Sequence, residues 1–264
     1  MERIAREGTS MDERNAEKQG RRVWPRRVAI GIAALIMTAT AAFFIYTADY
    51  YRAGDTARQL AESLTASGEL TETDGSIAIG DDDADVGIVF YPGAKVEAAA
   101  YIPLACELAE RGYYCVIAKM PFNLAFFGID AANGIMGDAP EVESWWIAGH
   151  SLGGAMAAQF AAGHSSELEG VLLLAAYAAS DLSATNLAVS IVYGSEDGVH
   201  NRDALEKNAA NLPAGASTTV LDGGNHAGFG DYGPQAGDGE ASVSAAEQWS
   251  QTADLAEEAI EATR

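Results

Sequence analysis

The chain has 264 residues, of which 48% are hydrophobic and 20% charged, and its net charge is −22. This composition excludes a disordered, collagen-like or disulfide-stapled chain, and the length allows a domain with a substantial core. Residues 28–264 carry 33 acidic and only eight basic side chains. Such a surface repels phosphate groups, so we expect no nucleic-acid partner.

The first predicted element is a membrane-spanning helix over residues 28–48, which contain no charged residue. As a helix, this segment is about 31 Å long, close to the thickness of a bilayer core. Arginines precede it and tyrosines follow it, which predicts a basic cytoplasmic tail at residues 1–27 and a single-pass anchor in the cell membrane, with the rest outside the cytoplasm. A cleaved signal peptide is the alternative, because Ala39-Thr40-Ala41 resembles a cleavage site.

Residues 49–80 are predicted to form a stalk and the first strands. Tyr50–Ala66 has the pattern of a short amphipathic helix, and one or two strands fit between Gly68 and Gly80. The two cysteines, Cys106 and Cys115, are either buried thiols or a disulfide between a helix and a strand.

From residue 81 to 264, apolar runs alternate with helical stretches, as in a mostly parallel sheet with helices on both faces. The predicted strands are Val86–Tyr91, Tyr113–Met120, Trp145–Ala148, Val171–Ala176, Leu187–Tyr193 and Ser217–Leu221. The predicted helices are Val96–Arg111, Leu124–Met136, Leu152–Ala162, Arg202–Leu212 and Ser244–Ala262. The connection from Tyr177 to Asn186 is short, so we expect a minimal lid or none.

The strongest chemical motif is Gly149-His150-Ser151-Leu152-Gly153, which matches G-x-S-x-G between a predicted strand and a predicted helix. A sharp turn there exposes the serine hydroxyl, and the start of the helix adds N–H donors beside it. Ser151 is therefore the predicted nucleophile.

A serine nucleophile needs a base, and His226 follows the last predicted strand, where a loop can carry a base over the serine. Among the other histidines, we expect His150 to point away into the packing, His164 to end a helix, and His200 to lie either at the surface or at the start of a helix. Asp197, after the strand that ends at Tyr193, is the predicted acid.

The acid has two rivals, because Glu196 is adjacent to Asp197 and Asp222 ends the last strand. The order Ser151, Asp197, His226 is the chain order of one known type of catalytic triad.

An oxyanion hole is predicted from the backbone N–H groups of Leu152 and Ala94, the latter in the turn after the strand Val86–Tyr91. Four residues are predicted to line the substrate pocket, and Phe126 and Phe127 are predicted either to form its apolar wall or to pack in the core. The pocket residues are Gly93, Phe122, Asn123 and Phe229. The stretch Phe229–Gly239 is predicted as either a flap or a surface loop.

Five segments together resemble the α/β-hydrolase superfamily, in particular a small bacterial branch near the dienelactone-hydrolase-like enzymes. They are FYPGAKV, KMPFNLAFFG, GHSLGGAMAAQFA, YGSEDGV and GGNHAGFGDYGPQAGDG. The resemblance implies an α/β-hydrolase fold, with Ser151, Asp197 and His226 as the triad and with Ala94 and Leu152 at the oxyanion hole. Dienelactone hydrolases use a cysteine where this chain has Ser151, so their lactone substrate does not carry over.

The expected function is therefore an anchored extracytoplasmic serine hydrolase that cleaves carboxylic esters or thioesters through an acyl-enzyme. It needs no metal or organic cofactor, and its expected partners are a small acyl substrate and the membrane. An acyltransferase using the same triad and a non-catalytic surface binding module are the alternatives.

Overall fold

An eight-stranded sheet organises the chain in a computed structural model that describes residues 27–264. The strands are β1 (Leu70–Glu72), β2 (Ser76–Ile79), β3 (Val86–Tyr91), β4 (Tyr114–Ala118), β5 (Ser144–His150), β6 (Gly170–Leu174), β7 (Ala188–Gly194) and β8 (Ser217–Leu221). The helices are α1 (Arg27–Ala48), α2 (Asp55–Ser67), α3 (Ile102–Ala109), α4 (Ala131–Asp138), α5 (Leu152–Gly163), α6 (Arg202–Lys207) and α7 (Ala245–Glu261).

The strand order is β1-β2-β4-β3-β5-β6-β7-β8. Strands β3 to β8 run parallel, and β2 is antiparallel to both of its neighbours. The mostly parallel sheet predicted from the alternation of apolar runs and helices is therefore confirmed. Because parallel strands share one carboxyl edge, the loops after β3, β5, β7 and β8 come together there.

Helices cover both faces of the sheet, and each face has its own buried core. Ile88 and Phe90 of β3 pack with α2, α3 and α7, while the alternating Val89 and Tyr91 pack with α4 and α5. This period of two, with both sets buried, explains why β3 reads as a continuous apolar run. Residues 175–187, between β6 and β7, contain no helix, in agreement with a minimal lid.

The prediction of a stalk is wrong for α2. Residues Tyr50–Arg264 form one compact unit, and α2 begins at Asp55 rather than Tyr50. Ala57 is wholly buried, and Leu60 and Leu64 pack against the core. The apolar face of this amphipathic helix therefore covers the sheet and does not stand alone as a spacer.

The helix predicted over Leu124–Met136 begins only at Ala131, as α4. Two short 3-10 turns precede it, and Phe122 and Asn123 have φ values of 58° and 54°. The carbonyl of Asn123 accepts the N–H of Lys95 at 2.7 Å. This tertiary bond uses the group that an α-helix would direct to its own next turn, so the helix starts later.

Helix α1 forms a unit separate from the sheet domain. It has 22 residues and a mean hydropathy of 2.4 in its most apolar window, which suits either a membrane span or a signal sequence near the N-terminus. The predicted basic tail lies, apart from Arg27, outside the described residues. Cys106 and Cys115 are free thiols, so no disulfide forms between them, but only Cys115 is buried and Cys106 is half-buried.

Candidate active site

The turn between β5 and α5 holds Ser151 in a strained conformation, with φ 54° and ψ −120°. A non-glycine residue adopts this region only where its surroundings enforce it. A Cβ added to Gly153 would lie 2.1 Å from the carbonyl oxygen of Tyr91, so the first turn of α5 packs directly on the chain leaving β3. The G-x-S-x-G segment thus forms the strand-turn-helix geometry that its sequence predicts, with Ser151 half-buried.

Asp197 and His226 form a buried pair at the same edge of the sheet, after β7 and β8. His226 Nδ1 lies 2.9 Å from one carboxylate oxygen of Asp197. The other oxygen accepts the backbone N–H groups of Val199 and His200 at 2.9 and 2.7 Å. Burial alone would raise the pKa of Asp197, but the bond and charge of His226 and the two N–H donors hold it below its ordinary value.

The two rival carboxylates do not reach His226. Glu196 is exposed and accepts a hydrogen bond from the hydroxyl of Ser195 at 3.0 Å. Asp222 is also exposed. The geometry therefore singles out Asp197 as the acid beside the histidine.

The base and the serine are neighbours without a direct hydrogen bond. The ring of His226 is 1% exposed and lies 4.5 Å, between centroids, from the ring of His150, the residue before Ser151. The Nε2 atom of His226 is buried and has no hydrogen-bond partner among residues 27–264. The structure therefore brings Asp197 and His226 together and sets His226 beside the serine turn, without a hydrogen bond between Nε2 and the Ser151 hydroxyl.

The structure corrects the expected orientation of His150 and decides between the alternatives for His200. His150 is buried but faces His226 rather than pointing away from it, because the tight turn leaves its ring under the base loop. Burial lowers the pKa of His150 well below its ordinary value, and the nearby His226 acts in the same direction. His200 is buried against the ring of Tyr193 rather than exposed, and it lies just before α6, as the second alternative for it expects. His164 ends α5, with Nδ1 3.0 Å from the carbonyl oxygen of Phe160.

The turn after β3 presents one unused backbone donor. The N–H of Gly93 donates to the Tyr101 hydroxyl at 3.0 Å, and the N–H of Lys95 donates to the carbonyl of Asn123. Between them, the N–H of Ala94 donates to no atom of the described chain, and the same holds for the N–H of Leu152 at the start of α5. These are the two donors that the sequence assigns to an oxyanion hole.

The predicted pocket residues divide into two groups. Phe122 is 43% exposed and Asn123 half-buried, and both adjoin the turn after β3 through the Lys95 bond. Phe229, by contrast, is fully buried with its ring 5.6 Å from that of His150. Phe229, predicted to line the substrate pocket, therefore packs inside the core and presents no side-chain surface to a ligand in this structure. Gly93, within the turn after β3, is also buried.

The two residues of the predicted apolar wall line a different surface from the triad residues. Phe126 and Phe127 line a cleft of about 810 Å³ that neither Ser151 nor His226 lines.

Asp238 is a site residue that the sequence reasoning missed. One of its carboxylate oxygens accepts the N–H groups of Gly198 and His226 at 3.2 and 3.1 Å, and the other accepts that of Ala227 at 2.8 Å. It therefore ties the acid loop to the base loop, so this part of the predicted flap is a brace. The only signal in the sequence is an aspartate between two glycines, which is typical of a turn and does not reveal its partners.

Among the described residues, no group of three or more His, Cys, Asp or Glu side chains could hold a metal ion.

The comparison with protein families identifies the class. A model described as "Alpha/beta hydrolase family" matches residues 87–250, more than half of the chain. The chain therefore belongs to the α/β hydrolase family, and the fold predicted from its sequence is confirmed. A search of curated protein sequences finds no match.

Solved structures with similar folds are distant in sequence. A predicted CIB-like hydrolase from Thermoplasma acidophilum is 17% identical with a TM-score of 0.52, covering 72% of this chain and 97% of its own. A bacterial membrane phospholipase A is 13% identical with a TM-score of 0.58, covering 90% and 99%. Est1E from Butyrivibrio proteoclasticus is 14% identical with a TM-score of 0.53, covering 73% and 98%.

Proposed function

We propose that this protein is a serine hydrolase that cleaves carboxylic ester or thioester bonds with Ser151, His226 and Asp197 as its triad. One observation carries the proposal: a buried His226–Asp197 pair lies beside the strained turn that bears Ser151. Strain at a serine and a buried carboxylate both reduce stability unless the surroundings compensate, and such features concentrate at catalytic sites.

The geometry supports a two-step mechanism. The Ser151 hydroxyl attacks the substrate carbonyl while His226 Nε2 takes its proton, and Asp197 stabilises the resulting imidazolium. The N–H groups of Ala94 and Leu152 donate to the tetrahedral oxyanion. The leaving alcohol or thiol takes the proton from His226, and water then cleaves the acyl-enzyme. The approach of Ser151 to Nε2 accompanies substrate binding, as catalytic hydrogen bonds tighten in the bound complex.

The substrate class follows from the limited cover over the site and from the fold relatives. Because residues 175–187 form no helical lid, an accessible acyl group suits the site. One solved structure of similar fold is named a membrane phospholipase A, and another a thioesterase domain from the curacin pathway, so lipid esters and thioesters belong in the substrate panel. If an acceptor replaces water in the second step, the same residues give an acyltransferase. We also propose that this protein belongs to the bacterial branch of the superfamily near the dienelactone-hydrolase-like enzymes.

Labelling with a fluorophosphonate probe tests the triad. We expect the wild type to be labelled and the Ser151→Ala and His226→Ala variants not to be, because the probe reacts only with an activated serine. Ser166→Ala is the matched control, since this serine is exposed and lies just beyond α5. An unlabelled wild type that is folded by circular dichroism would instead favour the non-catalytic binding module.

We further propose that α1 anchors the domain outside the cytoplasm. Arginines at positions 21, 22, 26 and 27 precede the helix, and basic residues favour the cytoplasmic side. The full chain should stay in the membrane pellet after alkaline carbonate extraction, and external protease should digest its catalytic domain in intact cells. A released, shorter chain whose N-terminus lies near residue 42 would contradict the anchor and identify a signal peptide.

A further inference from the structure

The hydroxyl of Tyr101 joins two segments of the candidate active site that come from different strands. It lies 3.0 Å from the backbone nitrogen of Gly93, in the turn after β3, and 2.8 Å from Nδ1 of His150, at the end of β5. Tyr101 is 1% exposed and His150 is wholly buried. A buried polar group that bridges two loops in this way fixes their separation, because breaking either bond would leave an unpaired group away from water.

Charge and burial determine the ionisation state of the two side chains in this bridge. Burial raises the pKa of Tyr101 and lowers that of His150, so both side chains are neutral near pH 7. The Tyr101 oxygen accepts the Gly93 N–H, and the same hydroxyl shares a hydrogen bond with Nδ1 of His150, whose tautomer sets which of the two atoms donates. A neutral ring at this place adds no second positive charge beside His226, which becomes an imidazolium during the reaction.

The consequence concerns the orientation of the Ala94 N–H. Three successive peptide groups of the turn are each held by a different partner. The Gly93 N–H is held by Tyr101, the Gly93 carbonyl by the N–H of Val96 at 3.2 Å, and the Lys95 N–H by Asn123. Since N–H and C=O of one trans peptide point in opposite directions, fixing the Gly93 carbonyl aims the Ala94 N–H away from Val96. Among these partners, Tyr101 is the one that also contacts the serine turn.

We propose that Tyr101 is a positioning residue that sets the Ala94 donor against the Ser151 turn, acting through Gly93 and His150. This inference rests on the proposed function, since it assigns a role within the proposed oxyanion hole. The space around Gly93 supports it, because a Cβ there would lie 2.9 Å from His150 Nδ1 and 3.0 Å from the Tyr101 oxygen. The turn is thus packed directly on the two side chains that hold it.

The test compares Tyr101→Phe with Tyr91→Phe. Tyr91 is a matched control, because its buried hydroxyl also accepts a backbone N–H at 3.0 Å, that of Ala132, on the opposite face of the sheet. Loss of an oxyanion donor lowers the rate by about 10²–10³. A displaced donor should have a smaller effect, so we expect kcat of Tyr101→Phe to fall about 10–100-fold with KM nearly unchanged. Affinity for a trifluoromethyl ketone, which mimics the tetrahedral state, should fall by the same factor. Tyr91→Phe should keep both values.

A second variant separates positioning from general loss of stability. His150→Gln should also lower kcat, and the double variant with Tyr101→Phe should be no worse than the more impaired single variant, because both changes remove the same bond. All rates are measured per serine titrated by the fluorophosphonate, so unfolded protein does not contribute.

Three results would overturn the inference. Wild-type kcat and analogue affinity in Tyr101→Phe would do so while leaving the proposed triad intact. An equal loss in Tyr91→Phe would reduce the effect to stability. A folded wild type that does not react with the fluorophosphonate would overturn the proposed function and, with it, this role of Tyr101.

Discussion

Asp238 offers the sharpest test of how the base loop is held. Its side chain bridges the loop after β7 and the loop after β8 through the N–H groups of Gly198, His226 and Ala227. A hydrogen bond to a charged group contributes about 1.5–3 kcal/mol when buried. Asp238 is only half-buried, so water replaces part of each bond once the loop opens. We therefore expect Asp238→Ala to lower the free energy of unfolding by about 2–4 kcal/mol, less than the sum of three full bonds.

The more conservative change should give a smaller effect for a stated reason. Asp238→Asn keeps one oxygen for Gly198 and His226, but it turns an NH₂ group toward the N–H of Ala227, which then loses its acceptor. We expect a loss of about 1–2 kcal/mol. Asp222→Ala is the control, because Asp222 is exposed and makes no hydrogen bond within the described part of the chain.

Two measurements decide this prediction. Urea unfolding gives the free energies, and the rate of fluorophosphonate labelling reports whether His226 is still in place. Labelling of Asp238→Ala should slow at least tenfold, since a displaced base no longer activates the serine. If Asp238→Ala matched Asp222→Ala in both stability and labelling rate, the bracing role would be refuted.

Two further predictions concern packing and pH. Gly153→Ala should destabilise the fold by at least about 2–3 kcal/mol, because its Cβ would lie 2.1 Å from the backbone oxygen of Tyr91. In urea unfolding, the control Gly163→Ala, whose added Cβ meets nothing within 4 Å, should change stability by less than about 1 kcal/mol. Equal effects of the two variants would contradict the close approach of Gly153 to Tyr91. The pKa of His150 is lowered in the folded state, so below about pH 6.5 the unfolded chain binds a proton that the folded chain does not, and stability decreases as the pH is lowered. Measured against His150→Gln, the wild type should lose up to about 1.4 kcal/mol of unfolding free energy per pH unit in that range. Parallel stability curves of the two proteins would show that His150 is not held neutral.

The parts of the fold that were predictable depend on local patterns. The apolar runs at β3, β6 and β7 are buried on both faces, so a continuous hydrophobic run was sufficient to identify them as parallel strands. The helix after residue 120 was not predictable, because the carbonyl of Asn123 is taken by Lys95 from a different loop. Likewise, the pattern of α2 indicated an amphipathic helix but not which surface its apolar face covers.

The candidate site divides in the same way. The motif around Ser151 is local, since its strain comes from the strand and helix on either side, and the chain order identified Asp197 and His226. The tertiary structure decided three further points, because they depend on how β7, β8 and the core approach one another. These are the 2.9 Å contact between His226 and Asp197, the position of Glu196 away from His226, and the burial of Phe229.

The sequence by itself determined the strands, the apolar N-terminal helix and the three residues of the proposed triad, because each depends on side-chain periodicity or on spacing within one strand-turn-helix unit. Only the tertiary structure decided the brace at Asp238 and the bridge at Tyr101. These side chains bind backbone N–H groups of distant loops, and every residue except proline has such a group, so no pattern of residue types reveals which ones they reach.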